Sequence, residues 1–188
     1  MPSDETIQNQ REQAKDLLHK INHEVSHAYH VCKLSLSMFD QLEFLHHLGA
    51  QERCWLECAA YLHDIGWAIS GKKHHKHSMR MLLNADMPAF SDLEKRIVGN
   101  IVRYHRKALP SPKHSSFVIL DPGDQETVKK LASFLRLADG LDDTHNERIS
   151  DLELMTSNGE ITFRAQTDHS CPEEMNSVEK KKDLFVET

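Results

Sequence analysis

Six residues that should prefer water stand on the apolar faces of their segments: His27, the adjacent pair His63 and Asp64, His77, His105 and Asp139. His27 shares a helical face with Val31, Leu34 and Met38. His63 follows Leu56, Ala59 and Ala60 at offsets of seven, four and three, and His105 ends a stripe of Ile97, Ile101 and Val102. Asp139 lies four residues after Leu135 and eight after Leu131. Apolar residues spaced i, i+3, i+4 and i+7 mark the buried face of a helix. A histidine or aspartate on that face needs a partner, because burying a polar group unpaired costs free energy and burying a charge costs more. A divalent ion held between helices would satisfy them together. Imidazole nitrogens with carboxylate oxygens suit Mn, Mg, Fe, Ni or Zn.

The pattern predicts His27, His63, Asp64 and Asp139 as metal ligands. His77 and His105 are then ligands of a second ion or contacts to a bound phosphate. One ion is expected before two. Asp64 is expected to combine the roles of ligand and proton acceptor, and His105 to act at the transferring phosphoryl group. A cation so placed lowers the pKa of a water molecule and polarises a phosphoryl oxygen, so the expected chemistry is hydrolysis through a metal-activated water. Basic residues cluster nearby in sequence: Lys72, Lys73 and Lys76 before and beside His77, Arg103 and Arg106 around His105, and Arg136 ahead of Asp139. Lysine and arginine beside a metal are what a phosphate ligand requires. A small phosphorylated anion is therefore the expected ligand. Asp142 and Asp143, near His145, are read as solvated carboxylates past a helix end, and Trp55 and Trp67 as core or rim packing.

The elements that must position these residues are mostly helical. A polar lead-in helix is expected over residues 1–21. A helical domain over 22–148 follows. Its helices run from about Asn22 to His47, from Ala50 to Ile65 with Gly66 ending it left-handed, from Lys76 to Ala85 after a loop over Ser70–His75, and from Ser91 to about Lys107. Another, capped by Asp124, reaches Leu141. Ser91 followed by Glu94 is a capping-box arrangement. Beyond residue 148 two alternating segments flank Ser157-Asn158-Gly159, and Asn-Gly is the strongest short hairpin signal. The expected fold is mainly α with a small C-terminal β-hairpin, the hairpin and a charged tail over 149–188 packing on the same unit.

Composition bounds the rest. With 188 residues, 39% hydrophobic and 28% charged, the chain has room for one ordinary domain. A net charge of −6 disfavours binding to a nucleic-acid duplex. No apolar run approaches the ~20 residues of a membrane span, and the polar start has no signal-peptide core. The four cysteines, Cys32, Cys54, Cys58 and Cys171, show no zinc-ribbon or secreted spacing, so reduced thiols in a cytoplasmic protein are expected. The seven glycines form no P-loop or GxGxxG, and no Gly-x-Ser-x-Gly elbow is present.

The order H…HD…H…H…D resembles that of the HD superfamily of metal-dependent phosphohydrolases. More closely, HAYHVCKLSLSMFDQL, AAYLHDIGWAIS, KHHKHSMRMLLN, IVRYHRKALP and LASFLRLADGLDDTH resemble the C-terminal HD region of the exopolyphosphatase/guanosine-pentaphosphatase (Ppx/GppA) family, over nearly the whole chain from about Glu24. The resemblance implies an HD helical fold and phosphate-ester or anhydride chemistry on a nucleotide or polyphosphate-like anion. In that family the chemistry is usually assigned to a preceding actin-like domain with glycine-rich phosphate loops, which has no counterpart here. The expectation is a free-standing HD module: a metal-dependent phosphohydrolase or, alternatively, a non-catalytic regulatory or scaffolding unit acting as a homodimer or with a separate partner protein. The chain lacks the Gly-Tyr-Pro signature of cyclic-dinucleotide enzymes and the acidic pair of alarmone hydrolases.

Overall fold

The structure is a computed structural model that describes residues 3–21 and 25–188. Helix α1 (Asp4–Ile21) buries Ile7, Gln10, Ala14 and Leu18. The regular stripe is interrupted only by Gln10, whose amide donates to Ala89 O at 3.1 Å and to the Glu94 carboxylate at 2.8 Å. Those bonds dock a helix whose apolar signal is weak in sequence.

Helix α2 (Ser26–Gln41) stops short of the expected His47, and the expected start at Asn22 lies outside the described residues. One turn, α3 (Glu43–His46), follows and ends at His47 in the left-handed region, φ 55°. The break has a local cause. His46 Nε2 donates to Phe39 O at 2.9 Å, and Leu42 N is shared between Met38 O and Phe39 O, so the Phe39 carbonyl that Glu43 N would take in a continuing helix is already occupied. The Gln41 side chain then joins the helix end to the hairpin, donating to Leu152 O and accepting from Leu154 N, each at 2.9 Å.

Helix α4 (Ala50–Leu62) is the central element, packed against α1, α2, α6 (Asp92–Tyr104) and α8 (Pro122–Leu141). It ends before His63, and a turn of 3-10 helix spans Ile65–Ala68. Gly66 does not adopt the expected left-handed conformation, since the described glycine with positive φ is Gly159. Its role is close approach: a Cβ there would stand 2.2 Å from His74 O and 2.5 Å from Ser78 N. Gly66 N donates to Ser78 Oγ at 2.8 Å. The glycine lets α5 (His74–Asn84) lie against the chain that follows Asp64. Lys73, left-handed at φ 63°, starts that helix two residues earlier than expected.

The Ser91–Glu94 capping box forms as expected at α6. A short helix α7 (Ser115–Val118) precedes α8, which is capped by Asp121 rather than Asp124. Asp121 accepts from Asp124 N at 2.9 Å, and Pro122 holds the first helical position, where its missing N–H costs nothing. Strands β1 (Asp151–Ser157) and β2 (Glu160–Gln166) pair antiparallel about Asn158 and Gly159, both at positive φ. The tail forms α9 (Pro172–Lys181) and α10 (Asp183–Glu187), both packed on α8. The molecule is thus mainly α with a C-terminal hairpin. No helix among the described residues is long and apolar enough to cross a membrane.

The tight seat of Gly66 makes a direct prediction. Gly66→Ala must push α5 away from the 3-10 turn, because the atoms it would strike are backbone. Overpacking of this kind costs about 1–3 kcal/mol. Urea unfolding of the variant should show a lower midpoint with the slope unchanged, and an unaltered midpoint would remove this role.

Candidate metal centre

Five elements deliver side chains to one buried spot. His27 sits on the first turn of α2, His63 and Asp64 follow α4, His74 opens α5, His105 caps α6 and Asp139 lies in the last turn of α8. His63 and His105 are fully buried, and His27, His74 and Asp139 nearly so.

Two groups form, and they share one carboxylate. In the first, His27 Nε2 and His63 Nε2 are 3.2 Å apart, and Asp139 Oδ1 lies 3.5 Å and 3.6 Å from them. Asp64 Oδ2 lies 3.9 Å and 3.6 Å from the same two nitrogens. In the second, Asp64 Oδ1 lies 3.0 Å from His74 Nε2 and 3.7 Å from His105 Nε2, and the two nitrogens are 3.3 Å apart. With metal–ligand bonds of about 2.0–2.2 Å, ligand atoms around a tetrahedral ion are separated by about 3.3–3.6 Å. Both groups have the dimensions of a ligand shell.

The outer nitrogens show why the rings point inward. His63 Nδ1 meets Ala60 O and His105 Nδ1 meets Val102 O, each at 2.7 Å. His74 Nδ1 meets Gly71 O at 3.2 Å, and His27 Nδ1 meets Asp142 Oδ2 at 2.7 Å. Carbonyl and carboxylate oxygens only accept, so every Nδ1 carries the proton and every neutral ring presents a bare Nε2 to the centre. This is the outer-shell pattern that fixes the tautomer of metal-binding histidines. With the rings neutral and no cation present, the Nε2 atoms of His27 and His63 face each other as acceptors, as do those of His74 and His105. Asp64 Oδ1 is buried with no well-aligned hydrogen-bond donor. A buried acceptor left in this way is costly, and a divalent ion in each group would satisfy all of them.

Charge is balanced by protons and by Lys181. Burial opposes a charge on His27, but hydrogen bonds to Asp139 and Asp142 outweigh it and raise its pKa to about 9. Burial pushes His105 down to about 3. Asp139 is held well below the usual carboxylate range, against its burial, by Lys181, His27 and His63. Lys181 Nζ lies 2.7 Å from Asp139 Oδ2.

Sequence reasoning placed some residues and misplaced others. His27, His63, Asp64, His105 and Asp139 are brought together. His77 is not: it stands on the next turn of α5, with Nδ1 3.2 Å from Arg80 Nη2, and His74 occupies the place expected of it. Because α5 begins at His74, the first residue of the helix, not the fourth, meets Asp64. Asp142 is not a solvated carboxylate. It is fully buried, orients His27 and accepts from Glu147 N at 2.8 Å. Its spacing of three from Asp139 was the available signal. His145, at positive φ, stacks on His27 with ring centroids 3.7 Å apart. Lys181 had no signal, since it sits in a charged tail.

The basic residues divide. Arg106 leans over His74, with Nη1 3.2 Å and 3.4 Å from its ring nitrogens, and lines a cleft of about 210 Å³ with Asp64, Trp67 and Lys181. Lys72, Lys73 and Lys76 join Arg106 and Lys107 around an adjacent cavity of about 460 Å³. Arg103 packs its guanidinium over the Tyr104 ring, 5.6 Å from the centroid, and lines neither space. Arg136 is buried and spent on structure: it donates to Tyr104 O, Lys181 O and the Asp183 carboxylate, tying α6, α9 and α10 together. It is unavailable to a phosphate.

The family model for the Ppx/GppA phosphatase, domain III, matches residues 10–186, and the chain belongs to that family.

Two predictions follow from the shared carboxylate and the locked rings. Metal titration of His74→Ala should show one fewer tight divalent site than the parent, whereas His77→Ala should show none lost. Equal stoichiometry in all three would dissolve the second group. Ion binding must also expel the His27 proton, because at pH 7 a group with pKa about 9 is protonated and only the neutral ring can ligate. Affinity should therefore rise from pH 7 towards 9. Calorimetry at pH 7 in buffers of different ionisation enthalpy should report proton release, and identical enthalpies would contradict it.

Proposed function

We propose that this protein is a metal-dependent phosphohydrolase acting on a phosphate ester or anhydride, of a nucleotide or a polyphosphate-like anion. The observation that carries the reading is Asp64, whose two oxygens face two separate histidine groups beside a cleft into which Arg106 and Lys181 bring positive charge next to Asp139 and Asp143. His27, His63, Asp64 and Asp139 would hold one ion and Asp64, His74 and His105 the other. Two ions are favoured over the single ion expected from sequence. Bound divalent cations would supply Lewis acidity and neutralise phosphoryl charge.

The chain's own groups then have distinct tasks. Arg106 and Lys181 line the cleft and would hold phosphate oxygens; a guanidinium suits paired phosphate oxygens and an ammonium acts as a point charge. Asp64, with one oxygen in each group, would be a ligand to both ions and so would not be free as the proton acceptor. His105, fully buried beside that carboxylate, would hold an ion and not touch the substrate. The cluster of Lys72, Lys73, Lys76 and Lys107 draws the anion towards the cleft in a protein that is acidic overall. Cys54 and Cys58, with thiol sulfurs 3.9 Å apart in the core, fit a reducing compartment such as the cytoplasm.

One observation favours a second reading. Lys181 already places a cation on Asp139, as expected of a regulatory module that keeps the fold without the reaction. Turnover decides. The metal-loaded protein should hydrolyse members of a panel of phosphoesters and anhydrides, and His63→Ala should lower kcat/KM on the best of them by about 10²-fold or more. Arg106→Ala should mainly raise KM. A metal-loaded protein without activity on any member, or His63→Ala as active as the parent, would leave the regulatory reading.

A further inference from the structure

We infer that Trp67 is a stacking platform for a nucleobase, so that the cleft selects nucleotides over phosphate chains that carry no base. The inference deepens the phosphohydrolase reading and relies on it for the phosphate end of the ligand. The indole is 56% exposed. It is nevertheless fixed. The ring lies against Gly71, where a Cβ would come within 2.2 Å of its Cζ3 atom, and it stacks on His74 with centroids 4.9 Å apart and planes 26° from parallel. Backbone and imidazole thus hold the indole in place and leave much of it bare.

Position adds the second half. Trp67 lines the same cleft as Asp64, His74, Arg106 and Lys181. That cleft, at about 210 Å³, is smaller than the ~300–1,000 Å³ that pockets for drug-sized ligands occupy. It has room for phosphoryl groups beside Arg106 and Lys181, and a nucleoside extending out of it along Trp67 would meet the exposed part of the indole. A base-free phosphate chain has no flat face and gains nothing from an indole. Every nucleobase has such a face, and loss of one aromatic–base stack by alanine substitution typically weakens binding about tenfold or more.

The test uses the metal-loaded full chain and two probes, adenosine triphosphate and inorganic tripolyphosphate. Trp55 is first replaced by Phe, which leaves Trp67 as the single tryptophan. Its fluorescence should be quenched by the nucleotide and far less by tripolyphosphate. In the natural background, Trp67→Ala should raise the ratio of nucleotide Kd to tripolyphosphate Kd by about tenfold, and Trp67→Phe should restore most of it. If both probes weaken alike, or the ratio stays constant, or the nucleotide leaves the fluorescence unchanged, the inference is overturned. Binding is read without turnover. A Trp67-dependent nucleotide complex in a protein that hydrolyses nothing would sink the enzymatic reading alone.

Discussion

Everything at the centre depends on the Asp64 carboxylate being held where each of its oxygens faces a different pair of imidazoles. That demand sets the surrounding backbone. α4 ends at Leu62, just ahead of His63 and Asp64, and Gly66 must be bare so that α5 can bring His74 to within 3.0 Å of Oδ1. His27 and Asp139 arrive from helices far away in sequence to complete the other side. The apolar faces of α2, α4, α6 and α8 supply the burial that makes these polar contacts specific. A buried acceptor with the wrong neighbour is costly, so the core tolerates few alternative arrangements.

The outer hydrogen bonds divide into two kinds. Three of the four histidines are oriented by backbone carbonyls within three residues of themselves, at Ala60, Gly71 and Val102. Those orientations are set locally by helix or turn geometry. His27 alone relies on a side chain from a distant segment, Asp142. Its ring is further pinned by His145, whose left-handed backbone follows directly from the end of α8. The first group is therefore the one most dependent on tertiary structure, although its ligands were the easier to see.

What the sequence made legible follows from the same physics. A histidine that breaks an apolar stripe in mid-helix or near its end advertises itself, as His27, His63 and His105 do, and Asp139 does so among the leucines of α8. His74 opens its helix with no stripe before it, so periodicity offers nothing at that position and the expectation falls on His77 instead. Asp142 lies past a helix end, where a solvated carboxylate is the ordinary expectation. Trp67 looked like rim packing because no stripe or spacing marks an indole seated on Gly71 and stacked on His74. The helices and hairpin were readable from stripes, caps and the Asn-Gly turn. The break at Leu42 was not, because it arises from a side chain, His46, competing for backbone carbonyls.

The ion pair between Lys181 and Asp139 couples two parts of the molecule that are separate in sequence. A ligand carboxylate shared with an ammonium donates less charge to any ion on its other oxygen, and the ammonium in turn loses part of its partner when that ion arrives. By thermodynamic reciprocity, the docking of α9 and the occupancy of the centre each alter the free energy of the other by the same amount. An ion held by Asp139 would thereby be linked to the C-terminal helices, which the Arg136–Asp183 bond anchors on α8.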